Sequence, residues 1–431
     1  MSGDRSTHAH RLRRSPALAV ACAGALALLV MVGCGSDNGS STSTASGGET
    51  STSATGEGST TAAGGGSTVS AADLQKTVDT ALNTDAVTAD SLPPLMKEAL
   101  ERATPAPDQA TMDKAFDCWQ KSTCTVGNGD ITLALADGFG DNTWRKFSKM
   151  NMILQALTYP EVGKIITTNA HGQLAKFQSD VRSLTAQGVK GIAVYNDFGP
   201  AAYPALTAAQ RAGAVVSTYT GPNDGAPTSA ITTRVQPDIC EAGKTMAAAT
   251  KEAVGDAPVA YFTGTPGNPQ DTAWQKCATE AGLNPVFKAD TNWTPAGAQT
   301  AASALIASGK PAEAILYSYS NPVPNIVRTF NKANKPVPAI ITWTQDNGTS
   351  CQWKKDPYTL YQTNALNWTA RVSVTAIMDK LNGGSPDAAV IYPFPFSKAK
   401  ESDCAPGQPA DYPGTSALVP DSLTQRILGA G

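Results

Sequence analysis

From Gly129 onward the chain alternates short β-branched runs with helix-forming segments, and it does so twice. Strands are expected at Ile131–Ala136, Lys164–Thr168, Gly191–Tyr195 and Val215–Tyr219, then at Val259–Thr263, Pro285–Lys288, Ala314–Ser318 and Ala339–Trp343. Segments such as NTWRKFSKMNMILQAL and DICEAGKTMAAATKEAV lie between them and carry helical spacing. Strands separated by helices of this length form βαβ units and parallel sheets. The repeat predicts an α/β protein of two Rossmann-like lobes side by side. A ligand crevice is expected outside the carboxyl ends of their strands.

The chain before Gly129 reads differently. Arg5, Arg11, Arg13 and Arg14 precede an apolar run from Ala17 to Val32, too short and too poorly flanked to span a membrane. Met31-Val32-Gly33-Cys34 resembles the lipobox of bacterial lipoprotein signal peptides, with Met where Leu is usual. The resemblance implies cleavage before Cys34 and a lipid on its sulfur. An ordinary secretory signal, cleavage near Ala21-Cys22 and a twin-arginine signal are the alternatives. Ser, Thr, Gly and Ala then dominate to Ser70. Such a segment cannot bury enough surface to offset its ordering entropy, and about 35 residues of flexible coil reach roughly 30–35 Å. Residues 71–127 read as short helices, either a helical preamble to the body or a partly ordered stalk.

Removing residues 1–33 takes away four Arg and one Asp, so three net positive charges leave and the formal charge moves from −3 to −6. A mildly acidic chain argues against a nucleic-acid partner. Cys22 leaves with the signal and Cys34 is the lipid candidate, leaving Cys118, Cys124, Cys240, Cys277, Cys351 and Cys404. An even count in an exported chain suggests disulfides, and six cysteines allow fifteen pairings. Cys118–Cys124, Cys240–Cys277 and Cys351–Cys404 are preferred: one closes a short loop, one joins neighbouring helices and one pins a C-terminal extension. No CxxC spacing occurs and His171 is the only histidine beyond residue 33, so neither a metal nor a cofactor is expected.

Four stretches carry a family resemblance. ITLALADGFGDNTWRKF, FQSDVRSLTAQGVKGIAVYND, APVAYFTGTPGNPQDTAWQKCATEAGL and TNALNWTARVSVTAIMDKLNGG occur in the order, and with the motifs, of periplasmic sugar-binding proteins of the ribose/galactose type, which the chain resembles. The resemblance covers about Gly129 to Phe396. It implies a type I solute-binding protein of an ABC importer, in lipoprotein form: two lobes joined by three hinge crossings, near Arg234–Asp238, Trp343–Asn347 and Gln362–Ala365. The first lobe is then 128–234 plus 365–388, and the second 235–364 plus 389–420. Expected partners are a small sugar-like ligand, an ABC permease with its ATPase, and the membrane through the lipid. A monomer on the outer face of the cell membrane is expected.

A sugar presents a C–H face and a hydroxyl rim, which call for aromatic plates and planar polar groups. The resemblance places Asp137, Phe139, Asn142 and Trp144 on the first ligand loop, and Asn196 and Asp197 on the next. Asp238, Asp346 and Asn364 fall near the crossings. Three positions depart from the family: Trp274 stands where Arg is usual, Tyr219-Thr220 replaces an Asp, and Tyr319-Ser320 replaces Asn-Asp. These changes point to a flatter or less hydroxylated ligand than ribose. Asn or Asp after a strand also serves as a helix N-cap, and Trp on a helix also packs.

The sequence lacks a G-x-S-x-G elbow, an H-E-x-x-H helix and a P-loop, so an enzyme is not expected. Paired carboxylates acting on a glycoside are the catalytic alternative. A sensor that presents occupancy to a signalling receptor is the other.

Overall fold

The computed structural model describes residues 69–429 apart from Pro222 and Asp224. The expected signal peptide, Cys34 and the linker up to residue 68 lie outside the described residues. Three helices come first: α1 (Ala71–Leu82), α2 (Pro94–Ala103) and α3 (Gln109–Gln120). The short strand β1 (Thr123–Thr125) follows, and then the first βα series: β2 (Ile131–Asp137), α4 (Thr143–Ala156), β3 (Val162–Asn169), α5 (Leu174–Ala186), β4 (Gly191–Tyr195), α6 (Tyr203–Arg211), β5 (Val215–Tyr219) and β6 (Thr233–Pro237). The second series is α7 (Ile239–Val254), β7 (Val259–Thr263), α8 (Pro269–Glu280), β8 (Pro285–Asp290), α9 (Pro295–Ser308), β9 (Ala314–Tyr317), α10 (Val323–Lys332), β10 (Ala339–Thr342), α11 (Asn347–Lys355) and β11 (Leu360–Gln362). The chain ends through α12 (Thr369–Leu381), β12 (Ala389–Tyr392), β13 (Ser397–Lys398) and α13 (Asp421–Gly429).

Two sheets result. The first runs β1-β3-β2-β4-β5-β6-β12 and the second β13-β11-β10-β9-β7-β8. Every pairing is parallel except β1 with β3 and β11 with β13, each at a sheet edge. This is the type I periplasmic binding protein architecture. The strand period of two explains the layering. On β2, Leu133 and Leu135 face the core that includes α4 and α12, while Ala134 and Ala136 face the core under α5 and α6. Both faces are covered, as a parallel sheet requires.

The chain passes between the sheets around Asp238, through 363–368, and through 393–396. The second lies at the expected Gln362–Ala365 crossing, whereas the third takes the place of the one expected at Trp343–Asn347. Trp343–Asn347 joins β10 to α11 beside the second sheet. β12 pairs in parallel with β6, so residues 389–392 belong to the first sheet, not to the second lobe. Four residues of ambiguous pattern reveal their lobe only through their pairing partner.

Residues 71–127 fold onto the first lobe: α2 packs on α12 and α3 on α4. The structure contains the disulfides Cys118–Cys124, Cys240–Cys277 and Cys351–Cys404. The first ties α3 to β1 and the second ties α7 to α8. The third fixes residue 404 to α11, and α13 then returns to α3, where Arg426 pairs with Asp113 at 2.7 Å.

Candidate functional site

The carboxyl ends of the first sheet carry a closed charge cluster. β2 ends in Asp137, β4 in Tyr195 followed by Asn196-Asp197, and β5 in Tyr219. Asn142 caps α4 by accepting from the Arg145 N–H at 2.9 Å, which sets the first turn. From that turn Arg145 reaches back over the strand ends. Its Nη1 donates to Asp137 and its Nη2 to Asp197, both at 2.7 Å, and the guanidinium lies 3.1 Å from the Tyr195 ring centroid. Burial pushes the Asp137 carboxyl up to about 6 against the pull of Arg145. Burial works against the Arg145 charge, but Asp137 and Asp197 together hold it firmly protonated. The Trp144 and Tyr219 rings both meet Tyr195 edge-on, at 5.6 and 5.4 Å.

The carboxyl ends of the second sheet are built from hydroxyls. After β9 come Ser318, Tyr319 and Ser320; after β10 come Thr344 and Asp346. Ser320 Oγ donates to Asp346 and shares a 2.9 Å bond with Thr344, and Asp346 caps α11 by accepting from the Thr349 N–H at 3.0 Å. Burial raises the Asp346 carboxyl to about 6. Trp293 donates from Nε1 to Ser318 at 3.0 Å, and its ring lies where a side chain on Gly264 would be, 1.9 Å from a built Cβ. That close approach accounts for the glycine. Burial, then the charges of Asp346 and Asp411, raise the Tyr319 phenol, and the Arg145 charge acts against them.

The crossing 363–368 lies between these halves. Trp144 Nε1 donates to the Ala365 carbonyl at 2.6 Å. Asn364 Oδ1 accepts from the Leu366 N–H and the Trp368 indole at 2.9 and 3.1 Å. Among the described residues, the Tyr219 hydroxyl and both amide atoms of Asn367 are buried without a hydrogen-bond partner. Other buried side chains, among them Ser217, Tyr358 and Ser373, share this state, so it is their place at a strand end and at the crossing that makes Tyr219 and Asn367 candidates for polar atoms of a ligand or water. Four non-glycine residues with left-handed backbone sit here too: Thr220, Trp293, Thr344 and Leu366, with φ of 52°, 52°, 61° and 61°. Such strain concentrates at functional sites.

The structure therefore brings Asp137, Trp144, Asp197, Tyr219, Tyr319, Asp346 and Asn364 to the strand ends and the crossing. Asn196 is buried in its own loop, held by Gly199, Asn223 and Phe198. Asn142 and Asp238 are exposed N-caps, of α4 and α7, and Phe139 projects outward with 43% exposure. Trp274 departs most from expectation. It is fully buried, its indole donates to Asp271 at 2.8 Å, and its ring packs on Tyr261 and Trp343. It fills the core between helix and sheet, where an indole excludes more apolar surface than the Arg it replaces. Sequence reasoning passed over Arg145, Tyr195, Trp293 and Asn367. Tyr195 closes β4, and its place at the strand end directly before Asn196-Asp197 is the signal that points to it. Arg145 follows Trp144 directly and has no signal in one dimension.

A model of the periplasmic binding protein domain matches residues 135–385, more than half of the chain. The chain belongs to the periplasmic binding protein family. A solute-binding protein of an ABC transporter from Bacillus halodurans, solved with myo-inositol, is 13% identical with a TM-score of 0.55, covering 63% of this chain and 95% of that one. A periplasmic ribose ABC transporter protein from Conexibacter woesei is 17% identical with a TM-score of 0.54, covering 64% and 93%. The fructose-binding periplasmic domain of a hybrid two-component system is 14% identical with a TM-score of 0.55, covering 62% and 90%. At these identities the likeness is one of fold. No curated protein matches the chain. Among the described residues no helix is long and apolar enough to cross a membrane, and no cluster of metal-ligating side chains is found.

Proposed function

We propose that this periplasmic binding protein closes its two lobes on a small, neutral, ring-shaped polyol or sugar and hands it unaltered to an ABC importer. One observation carries the reading: the partnerless Tyr219 hydroxyl and Asn367 amide lie at the strand ends and crossing, beside an aromatic cluster. A phenol and an amide offer both donors and acceptors to ligand hydroxyls. Trp144, Tyr195 and Tyr319 supply faces for C–H bonds. Both arms of the Arg145 fork are committed to carboxylates, so the site has no free guanidinium for an anion; this favours an uncharged ligand. Asp197, the more exposed partner, retains an oxygen for a hydroxyl donor. Myo-inositol and ribose in the proteins of similar fold agree with this chemistry.

Closure about the crossings supplies the mechanism: a ligand that touches both lobes stabilises the closed form by its differential affinity. The N-terminal sequence supports tethering through a lipid on Cys34, with a monomeric body above the membrane. Native mass spectrometry of freshly purified protein, followed by fluorescence titration with pentoses, hexoses and inositols, tests the reading. Saturable binding of one class is expected, and conversion of the ligand into product would overturn it. The similar fold of a two-component receptor domain favours one second reading, a sensor. Capture of a histidine kinase rather than a permease from solubilised membranes would select it.

A further inference from the structure

A groove of about 770 Å³ opens on the first lobe beside the charge cluster, walled by the end of α3 and by Ser122 on one side and by α4 on the other. Its lining carries five Lys or Arg and one Asp, on a chain whose formal charge is −3. Three of the five are already paired: Lys121 with Asp117, Lys176 with Asp180, and Arg145 with Asp137 and Asp197. Lys146 and Lys149 are not. Both are half-buried on one face of α4, three residues apart, and among the described residues neither ammonium has a carboxylate partner or a side-chain hydrogen bond. Like charges at this spacing repel. Lys149 has only the Trp119 ring, 5.9 Å away, and the distant charge of Asp137. Burial accordingly pulls its amine down to about 8. A desolvated ammonium with so little compensation is an unfavourable arrangement that a bound anion relieves.

We propose that this groove binds a phosphate-class dianion between Lys146 and Lys149. Two ammonium groups match the charge of a phosphate monoester, about −1.5 to −2 at neutral pH. The Ser122 hydroxyl on the groove wall offers a donor for a remaining oxygen. The α3 wall, Trp119 to Ser122, precedes residue 135, where the family match begins, while Lys146 and Lys149 lie within the match. The bearer of the phosphate is either a soluble ester or a lipid headgroup.

The test uses the full, non-lipidated chain titrated with inorganic phosphate and with glycerol phosphate, read by ³¹P line width and by Trp119 fluorescence. A parallel arm measures sedimentation with phosphatidic acid vesicles, whose headgroup is a phosphate monoester. Saturable, salt-sensitive binding is expected, weakened at least about tenfold by Lys149→Met and by Lys146→Gln. Lys146→Gln carries the test alone should Lys149→Met fail to fold. Glycerol phosphate saturation assigns a soluble ester, and vesicle binding lost in Lys149→Met assigns a headgroup. Absence of binding in both arms overturns the proposal. So does phosphate binding that survives both lysine variants but is lost in Tyr319→Ala, which would put the anion between the lobes.

Discussion

The two halves of the interlobe site solve the same problem with different chemistry. The first lobe presents a locked ion cluster, Asp137–Arg145–Asp197, roofed by Tyr195 and flanked by Trp144 and Tyr219. The second presents Ser318, Tyr319, Ser320, Thr344 and Asp346, a hydroxyl network around one raised carboxyl. Buried ions hold their geometry because any displacement leaves a charge uncompensated. Hydroxyls rotate at little cost and are donor and acceptor at once. Under the proposed function, the first lobe offers a ligand the preorganised surface and the second lobe the adjustable one.

The largest expected break in this contrast is Arg145→Met. It leaves two carboxylates facing each other without a cation, and urea unfolding should show a loss of about 3–5 kcal/mol. A second substitution sharpens the division between site and core. Trp274→Ala should cost about 3–5 kcal/mol of stability with its effect on affinity following from folding alone. Trp144→Ala should cost less stability and weaken ligand binding by about tenfold or more, since its ring borders the site. Equal behaviour of the two indoles would erase the distinction drawn between them.

Asp346 provides a pH signature on the second lobe. Its folded carboxyl titrates at about 6, above the ordinary value of 3.8, so the folded state binds the proton more tightly. Stability contributed by that proton is present below about 4 and is lost as pH rises through about 6. The difference between wild type and Asp346→Asn should therefore change by about 2–3 kcal/mol across that window, in thermal or urea unfolding. A flat difference would mean that the hydroxyl network keeps the carboxyl ionised throughout. The smallest effect is expected for Tyr219→Phe, which removes an unpaired hydroxyl. Stability should hold or rise by up to about 1 kcal/mol, while affinity falls severalfold. An unchanged affinity would detach Tyr219 from the ligand.

The readable part of the site followed from position. Strand ends are visible in one dimension because β-branched runs stop there, so Asp137, Asp197 and Tyr219 could be placed at the end of a run, and the family resemblance singled them out together with Tyr319. Trp274 misled for a different reason. It lies on α8, the helix after β7, and a tryptophan there looks the same whether its ring points to the cleft or to the sheet. Helix rotation decides which. Asn142, Asp238 and Asp346 do cap helices, and only Asp346 is also buried beside the second lobe's hydroxyls.

By itself the sequence determined two α/β lobes, their order and most of their strands, because period-two and helical patterns are local properties of the chain. It also favoured the disulfide pairing that the structure contains. Tertiary structure alone decided that β12 joins the first sheet, that α3 and α13 meet over α4, and that Arg145 bridges two carboxylates from separate loops. Those outcomes depend on contacts between residues far apart in the chain, and pairing energies of that kind leave no mark on the composition of either partner.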